Sequence, residues 1–493
     1  MRIAVIGSGI GGLGTALLLA KAGHSVTIHE KNEVLGGRAG VFKADGFTFD
    51  MGPSWYLMPD VFEHFFKSMD ENVHDHLDLV RLDPSYQVFF EGDARPVQVP
   101  ASAVEAEKVI ERLEKGGGEK FRVYLSKVAA QYKMVLEKFL YREYRTPQSM
   151  LTLDGLKAIG TLPLFGSIDS YLKKFFTSKK VRQLLEYSMV FLGSSPYNAP
   201  ALYAMMSHVD FGLGVYYPQG GIYKLIEAFE NIGKKYGVRY IVNSEVCSIE
   251  IQNGMAKALI FKNESAEQRE EYDLIVSNSD LHHTETKLIP SAYQTYPEAY
   301  WENKILAPSA VLVYMGVRGK IDHLKHHNLY FAEAWEKQFD VIFKKPMWPE
   351  NPSFYLCNPS KTDPSVAPEG YENLFLLVPV AARFGTAEES TAYAEQCIDH
   401  VAKTMNIPDL RQRIVFKRIF RPDEFASRYN SIGGTALGLA HTFSQTAFLR
   451  PQNKSKKISN LYYVGAAVHP GIGMPVCLVS AELVAKRILA EQT

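Results

Sequence analysis

Hydrophobic positions follow two periods along this chain, and its first 30 residues carry both. A short apolar run, Arg2-Ile3-Ala4-Val5-Ile6, stops at Gly7-Ser8-Gly9-Ile10-Gly11-Gly12. Leu13 to Ala22 follows with the Ala/Leu pattern of a buried helix. Gly23-His24-Ser25 turns the chain into a second run, Val26-Thr27-Ile28, and Glu30 lies at its end. Strand, glycine turn, helix, strand and acid in this order predict a dinucleotide-binding unit. Gly7 permits the tight turn, Gly9 admits a pyrophosphate to the backbone, and Gly12 lets helix and strand close up. Amides at the helix start, around Ile10 and Gly11, face the phosphates, where the helix dipole favours negative charge. Glu30, 18 residues past Gly12, is placed to accept hydrogen bonds from a ribose.

The helical period returns over Val104–Glu114 and Lys120–Tyr144, separated by the loop Lys115–Glu119. Tyr217-Pro218-Gln219-Gly220-Gly221 opens a helix over 222–236. Strands are predicted over 238–242 and 245–252. Asn253-Gly254 makes a hairpin turn into 255–262, and 274–278 reads as a buried strand. Apolar strands over 310–317 and 373–380 lie among Pro-rich loops and predict a largely antiparallel sheet. Near the end, Asn460–Gly465 reads as a strand, His469–Pro475 as a glycine loop and Val476–Ala490 as a helix. Gly465, Gly473, Met474 and Pro475 thus form a second strand-loop-helix, whose amides suit negative charge.

Composition adds mainly exclusions. The 54 basic and 54 acidic residues balance, which gives no electrostatic footprint for nucleic acid. Four cysteines, Cys247, Cys357, Cys397 and Cys477, lack CxxC spacing and suggest neither zinc nor a disulfide framework. His282-His283 and His326-His327 invite a metal reading. Neighbours on a strand point to opposite faces and no carboxylate cluster accompanies them, so no metal is expected. Met1 opens directly into a strand and no long apolar run exists, so a cytoplasmic chain without a spanning helix is expected. Leu151–Phe176 stands apart as apolar and glycine-bearing, with Lys173, Lys174, Lys179, Lys180 and Arg182 beside Phe175, Phe176, Tyr187 and Phe191. Apolar surface edged by lysines predicts a peripheral membrane contact.

Glu30-Lys31 followed by Gly36-Gly37-Arg38 resembles the flavin amine oxidase superfamily, as does Phe49-Asp50-Met51-Gly52-Pro53-Ser54. Together with His469–Pro475, Ser277–Thr284, His326–Phe331 and Thr362–Gly370, these segments resemble the bacterial-type phytoene desaturases over nearly the whole chain. The resemblance implies an α/β (α+β overall) protein. Its Rossmann-like FAD-binding domain is built from 1–85, 215–285 and 430–493, with a mainly helical, membrane-associating subdomain over 86–214 and an antiparallel-sheet substrate domain over 286–429. It implies FAD held noncovalently by Gly7, Gly9, Ile10, Gly11, Gly12, Glu30, Lys31, Gly36, Gly37, Arg38, Gly52, Pro53, Ser54, Val246, Gly465, Gly473, Met474 and Pro475, with the backbone at Val246 against the adenine. The implied reaction desaturates a long apolar isoprenoid, phytoene toward neurosporene or lycopene, by hydride loss from an allylic carbon and proton loss next to it. Oxygen or a quinone is the implied electron acceptor. Related alternatives are a C30 or hydroxycarotenoid desaturase, a terminal carotenoid oxidase, a retinoid saturase, or a non-catalytic prenyl-binding protein of the same fold. Arg142, Arg145 and Asp154 are the catalytic candidates. The sequence departs at Val468, where the family's usual threonine hydroxyl is missing.

Overall fold

The computed structural model describes residues 1–144, 161–263 and 266–492. Its first strand, β1 (Arg2–Ile6), enters helix α1 (Ile10–Lys21) and returns as β2 (Ser25–His29). β1 and β2 are the third and fourth strands of an all-parallel five-stranded sheet. The other three come from distant sequence, in the order Leu461–Tyr463, Leu274–Ser277, β1, β2, Arg239–Ile241. Parallel strands need both faces covered. α1, the helix Tyr223–Lys235 and the C-terminal helix Met474–Ala490 supply Leu13, Leu17, Leu225, Phe229, Leu478 and Val484 to the core. Chain order reverses at β1, so the carboxyl ends of β1 and Leu274–Ser277 flank a switch-point crevice.

Gly7 has φ +90° and begins the turn. A Cβ on Gly12 would lie 2.2 Å from the Gly7 carbonyl oxygen, so α1 can leave β1 this closely only with glycine there. The predicted hairpin also forms. Asn253 and Gly254, at φ +52° and +71°, join Ser244–Gln252 to Met255–Asn263, matching the double-positive turn that suits strand twist.

The second sheet has seven strands, in the order Ile414–Phe420, Ser309–Arg318, Tyr371–Val380, Phe354–Cys357, His327–Phe331, Tyr86–Phe90, Val97–Val99. Residues 86–99 thus depart from the helical expectation for 86–214. Tyr86–Phe90, rich in aromatic residues, pairs in parallel with His327–Phe331, a partner about 240 positions away. The strand Ser309–Arg318, second in this order, is buried on both faces, with period two. Val311, Val313, Met315 and Val317 pack against the helix Ala387–Thr404. Ala310, Leu312 and Tyr314 face an aromatic core on the other side.

Part of the segment expected at a membrane serves that core instead. Ile168, Leu172 and Phe176 are fully buried and Tyr187 nearly so. The lysines also have protein partners: Lys173 pairs with Asp169, Lys180 with Asp93, and Lys179 with the Glu333 carbonyl. Phe165, by contrast, is 85% exposed. Among the described residues no helix is long and apolar enough to cross a membrane.

Gly12→Ala should force α1 away from β1. Overpacking of this kind costs about 1–3 kcal/mol, read as a lower thermal midpoint of the cofactor-free protein. An unchanged midpoint would mean that the turn relaxes freely.

Candidate functional site

A cavity of about 440 Å³ starts at the switch-point crevice and runs beneath the seven-stranded sheet. Its polar end is built by Gly9, Glu30, Gly36, Gly37 and Arg38. Its middle is walled by Gly52, Pro53, Ser54, Ala466–Val468 and Ile472–Val476. Its far end is apolar, with Trp55, Leu57, Phe191, Leu192, Met206 and Leu312. Gly7, Ile10, Gly11, Lys31, Val246, Gly473, Met474 and Pro475 also line it, as the sequence predicts, with Val246 on the strand Ser244–Gln252.

Two predicted residues, Gly12 and Gly465, lie behind the wall. Both close around Asn278, the residue after Leu274–Ser277. Its amide carbonyl oxygen would meet a Cβ on Gly465 at 2.6 Å and one on Gly11 at 2.8 Å. Its amide nitrogen would meet one on Gly9 at 2.7 Å, and its Cβ would meet one on Gly12 at 3.0 Å. Asn278 falls in the Ser277–Thr284 segment of the family resemblance, but the sequence reading gave it no role. Its signal is position, at the carboxyl end of a parallel strand beside the switch point.

Glu30 is buried on the cavity wall and already holds four protein donors. One oxygen accepts from the Ser8 amide at 2.9 Å and the Ser8 hydroxyl at 2.6 Å. The other accepts from the Asn32 amide and side chain, both at 2.9 Å. The carboxylate therefore first locks the glycine turn to the strand end, and Ser8 and Asn32 are site residues that the sequence reading missed. Lys31 is likewise engaged, by the Ser427 carbonyl at 2.7 Å, Asn430 at 3.0 Å and Glu245 at 3.2 Å. It pins the segment 427–430 over the cavity rather than offering a free cation.

The fit to FAD rests on what the protein leaves unsatisfied. α1 begins at Gly9 with no side-chain cap, so its first amides remain to be satisfied by a ligand. Arg38 gives one nitrogen to Ser431 at 3.1 Å, while its buried Nε has no partner. The Nε of Arg428, also on the cavity wall, is in the same state. Buried donors of a guanidinium without acceptors match a pyrophosphate. Close by, Asp280 caps the turn at His282 and His283, and burial raises its carboxyl above the ordinary range. Burial lowers His283 to about 4, so it is neutral there.

At the apolar end, Trp55 stacks on His327, with ring centres 4.0 Å apart and planes 8° apart. Tyr355 bridges Ser54 at 2.8 Å and His327 Nδ1 at 2.7 Å. Ligand atoms of His326, His327 and Cys357 lie within 4.8 Å of one another, against the expectation that strand alternation separates the histidines. The strand starts only at His327, so alternation does not reach His326. Both histidine Nδ1 atoms are already engaged, His326 by the Thr362 hydroxyl and His327 by Tyr355. Burial drives both rings to the neutral form and pushes the Cys357 thiol up to about 12. Behind Trp55, Asp210 accepts from Tyr86 at 2.8 Å and Tyr187 at 3.0 Å, and burial pushes its carboxyl up to about 7.

Of the three catalytic candidates, Arg142 alone lies among the described residues. Arg142 is exposed and off the cavity wall, and its carbonyl accepts from His469 of the C-terminal loop at 3.0 Å. Arg145 and Asp154 lie outside the described residues. Val468 is buried on the wall, where it presents methyl groups.

The model of the flavin containing amine oxidoreductase family matches residues 10–489, and the chain belongs to that family. It is similar to a carotenoid 3,4-desaturase of Haloarcula japonica, with 43% identity covering 99% of this chain and 98% of the relative. It is also similar to a zeta-carotene-forming phytoene desaturase of Myxococcus xanthus, with 32% identity covering 99% and 94%. Among solved structures, an oxidoreductase from Methanosarcina mazei shares the fold, with a TM-score of 0.65, 17% identity, and coverage of 99% of this chain and 100% of that one. The protein is thus an FAD-dependent oxidoreductase of the carotenoid desaturase type.

Arg38→Met removes a half-buried cation whose Nε the protein leaves unpaired. Loss of a charged hydrogen bond to phosphate is expected to weaken FAD binding roughly ten- to hundredfold, measured by flavin fluorescence on titration. The cofactor-free variant should melt no lower than the parent. Equal FAD affinity would place the pyrophosphate elsewhere.

Proposed function

We propose that this member of the flavin containing amine oxidoreductase family desaturates a long carotenoid-type polyene, with phytoene as the first substrate class. The carrying observation is the single cavity that joins the glycine turn to an apolar wall beneath the seven-stranded sheet. Bound FAD would supply the hydride acceptor, held by the α1 amides, Arg38 and the loop 466–476. The rest of the task falls to the chain's own residues. Trp55, Leu57, Phe191, Leu192, Met206 and Leu312 offer a wall without free charge, which suits a hydrocarbon. Each buried CH2 contributes about 0.8 kcal/mol, so a C40 chain needs no hydrogen bonds to bind. What the wall must supply is position, one allylic carbon held at the redox ring while water is excluded. Hydride loss leaves an allylic cation spread over the polyene. Its neighbouring proton is acidic enough to leave to a weak acceptor, so the reaction needs no strong base beside the apolar wall.

A second reading is desaturation at the 3,4 position of an already extended carotenoid. The 43% identity along the whole length of the Haloarcula relative favours it. A substrate this apolar reaches the cavity from a bilayer, which gives the exposed Phe165 a role as a surface anchor. Oxygen or a membrane quinone would then take the electrons.

Expression in cells that accumulate only phytoene, with pigments resolved by chromatography, separates the two readings. Neurosporene, lycopene or a longer chromophore is the outcome expected of the first. Unchanged phytoene beside FAD-loaded protein, together with a red-shifted product when an end-hydroxylated polyene is supplied, establishes the second. Phe165→Glu is expected to reduce pelleting with anionic liposomes while the fold stays intact. Undiminished pelleting would dismiss the anchor.

A further inference from the structure

Arg450 is 1% exposed, yet among the described residues no carboxylate pairs with it. Its guanidinium is solvated by four backbone carbonyls. Nε donates to Val468 at 3.2 Å, one terminal nitrogen to Gln445 at 3.2 Å, and the other to Leu439 at 3.2 Å and Ala466 at 2.6 Å. Burial lowers its pKa to about 10, so it stays charged at neutral pH. A full positive charge inside the protein is costly and persists only where the surroundings are fixed to hold it.

Two of the four carbonyls belong to the loop that walls the cavity. Ala466, Ala467 and Val468 line it, and Arg450 does not. Arg450 therefore stands directly behind this wall. Across a planar trans peptide, a carbonyl and the following N–H point in opposite directions. With the Ala466 carbonyl drawn back to Arg450, the Ala467 N–H points to the opposite side, toward the cavity. On the same stretch of wall, the C-terminal helix begins at Met474 behind Gly473, with no side-chain cap. A fixed cation, an oriented peptide and a helix N-terminus thus share one sign of field at one place. A charge held in a dry interior acts strongly and needs no reorganisation when negative charge arrives.

We propose that Arg450 is a positioning residue that holds the 466–468 wall and makes the bound flavin easier to reduce, by stabilising the negative charge that reduction adds. The proposal rests on FAD occupying this cavity but not on the identity of the polyene.

The test uses full-length, FAD-loaded protein without carotenoid, so it reads the flavin alone. Arg450→Gln and Arg450→Lys are reduced anaerobically against a reference dye, and the flavin and dye equilibria are read together. In Arg450→Gln the ratio of reduced to oxidised flavin at a given dye ratio is expected to fall about tenfold. Arg450→Lys keeps the charge but reaches fewer of the four carbonyls, and a fall of about threefold is expected of it. A purely structural role would lower the melting temperature and leave the flavin–dye equilibrium where it is in wild type. That result overturns the proposal. If the glutamine variant does not fold, the lysine variant carries the same test: its dye equilibrium must shift, and an unshifted one sinks the idea.

Discussion

Everything at the cofactor end depends on how closely backbones can approach around one side chain. Asn278 fills the space that Cβ atoms would take on Gly9, Gly11, Gly12 and Gly465. Three of those glycines open α1, and the fourth lies more than 450 positions later. One amide therefore sets the spacing between the first turn of the chain and its last loop. Glu30 adds the lateral lock by gripping Ser8 and Asn32 together. The crevice this leaves has uncapped amides and unpaired guanidinium nitrogens, and it is suited to an anion because the protein does not satisfy these groups itself.

The second sheet does its part through strand periodicity. Along Ser309–Arg318, one set of alternate residues is spent on the helix behind and the other faces the aromatic core and the cavity. A strand buried on both faces cannot shift register without moving both. The apolar wall is thus as fixed as the sheet, which a hydrocarbon substrate requires, since it offers no polar handle for orientation. The stack of Trp55 on His327 and the Tyr355 bridge extend that rigidity to the join between wall and crevice.

The sequence was most legible where interactions are local. The β1-α1-β2 unit, the Asn253-Gly254 hairpin, the strand near 461 and the final helix are all written within a few residues of each other. Most predicted cofactor contacts line the cavity for the same reason. What escaped was set by distant partners. Tyr86–Phe90 becomes a strand because His327–Phe331 lies beside it, not because of its own neighbours. Lys31 looks free in the sequence and is tied down by residues near 430. Glu30 reads as a ribose ligand and is first of all a clamp on Ser8. Arg450 shows nothing in sequence, because its role comes from carbonyls gathered from four places along the backbone. The membrane expectation was hard to read for the opposite reason. Apolar residues beside lysines look alike whether they cover a bilayer or a core, and burial assigns Phe176 and Tyr187 to the core.

The order of strands in the parallel sheet also has a kinetic side. Its edge strand, Leu461–Tyr463, pairs with Leu274–Ser277, which pairs with β1. The sheet cannot be completed until residues 461–463 have been made, long after β1 and β2. Until then α1 has no C-terminal helix to cover it, and its apolar residues stay open to other chains. Pairings of such long sequence separation are closed slowly. The yield of folded protein therefore depends on how long α1 stays uncovered before the helix 474–490 packs on it.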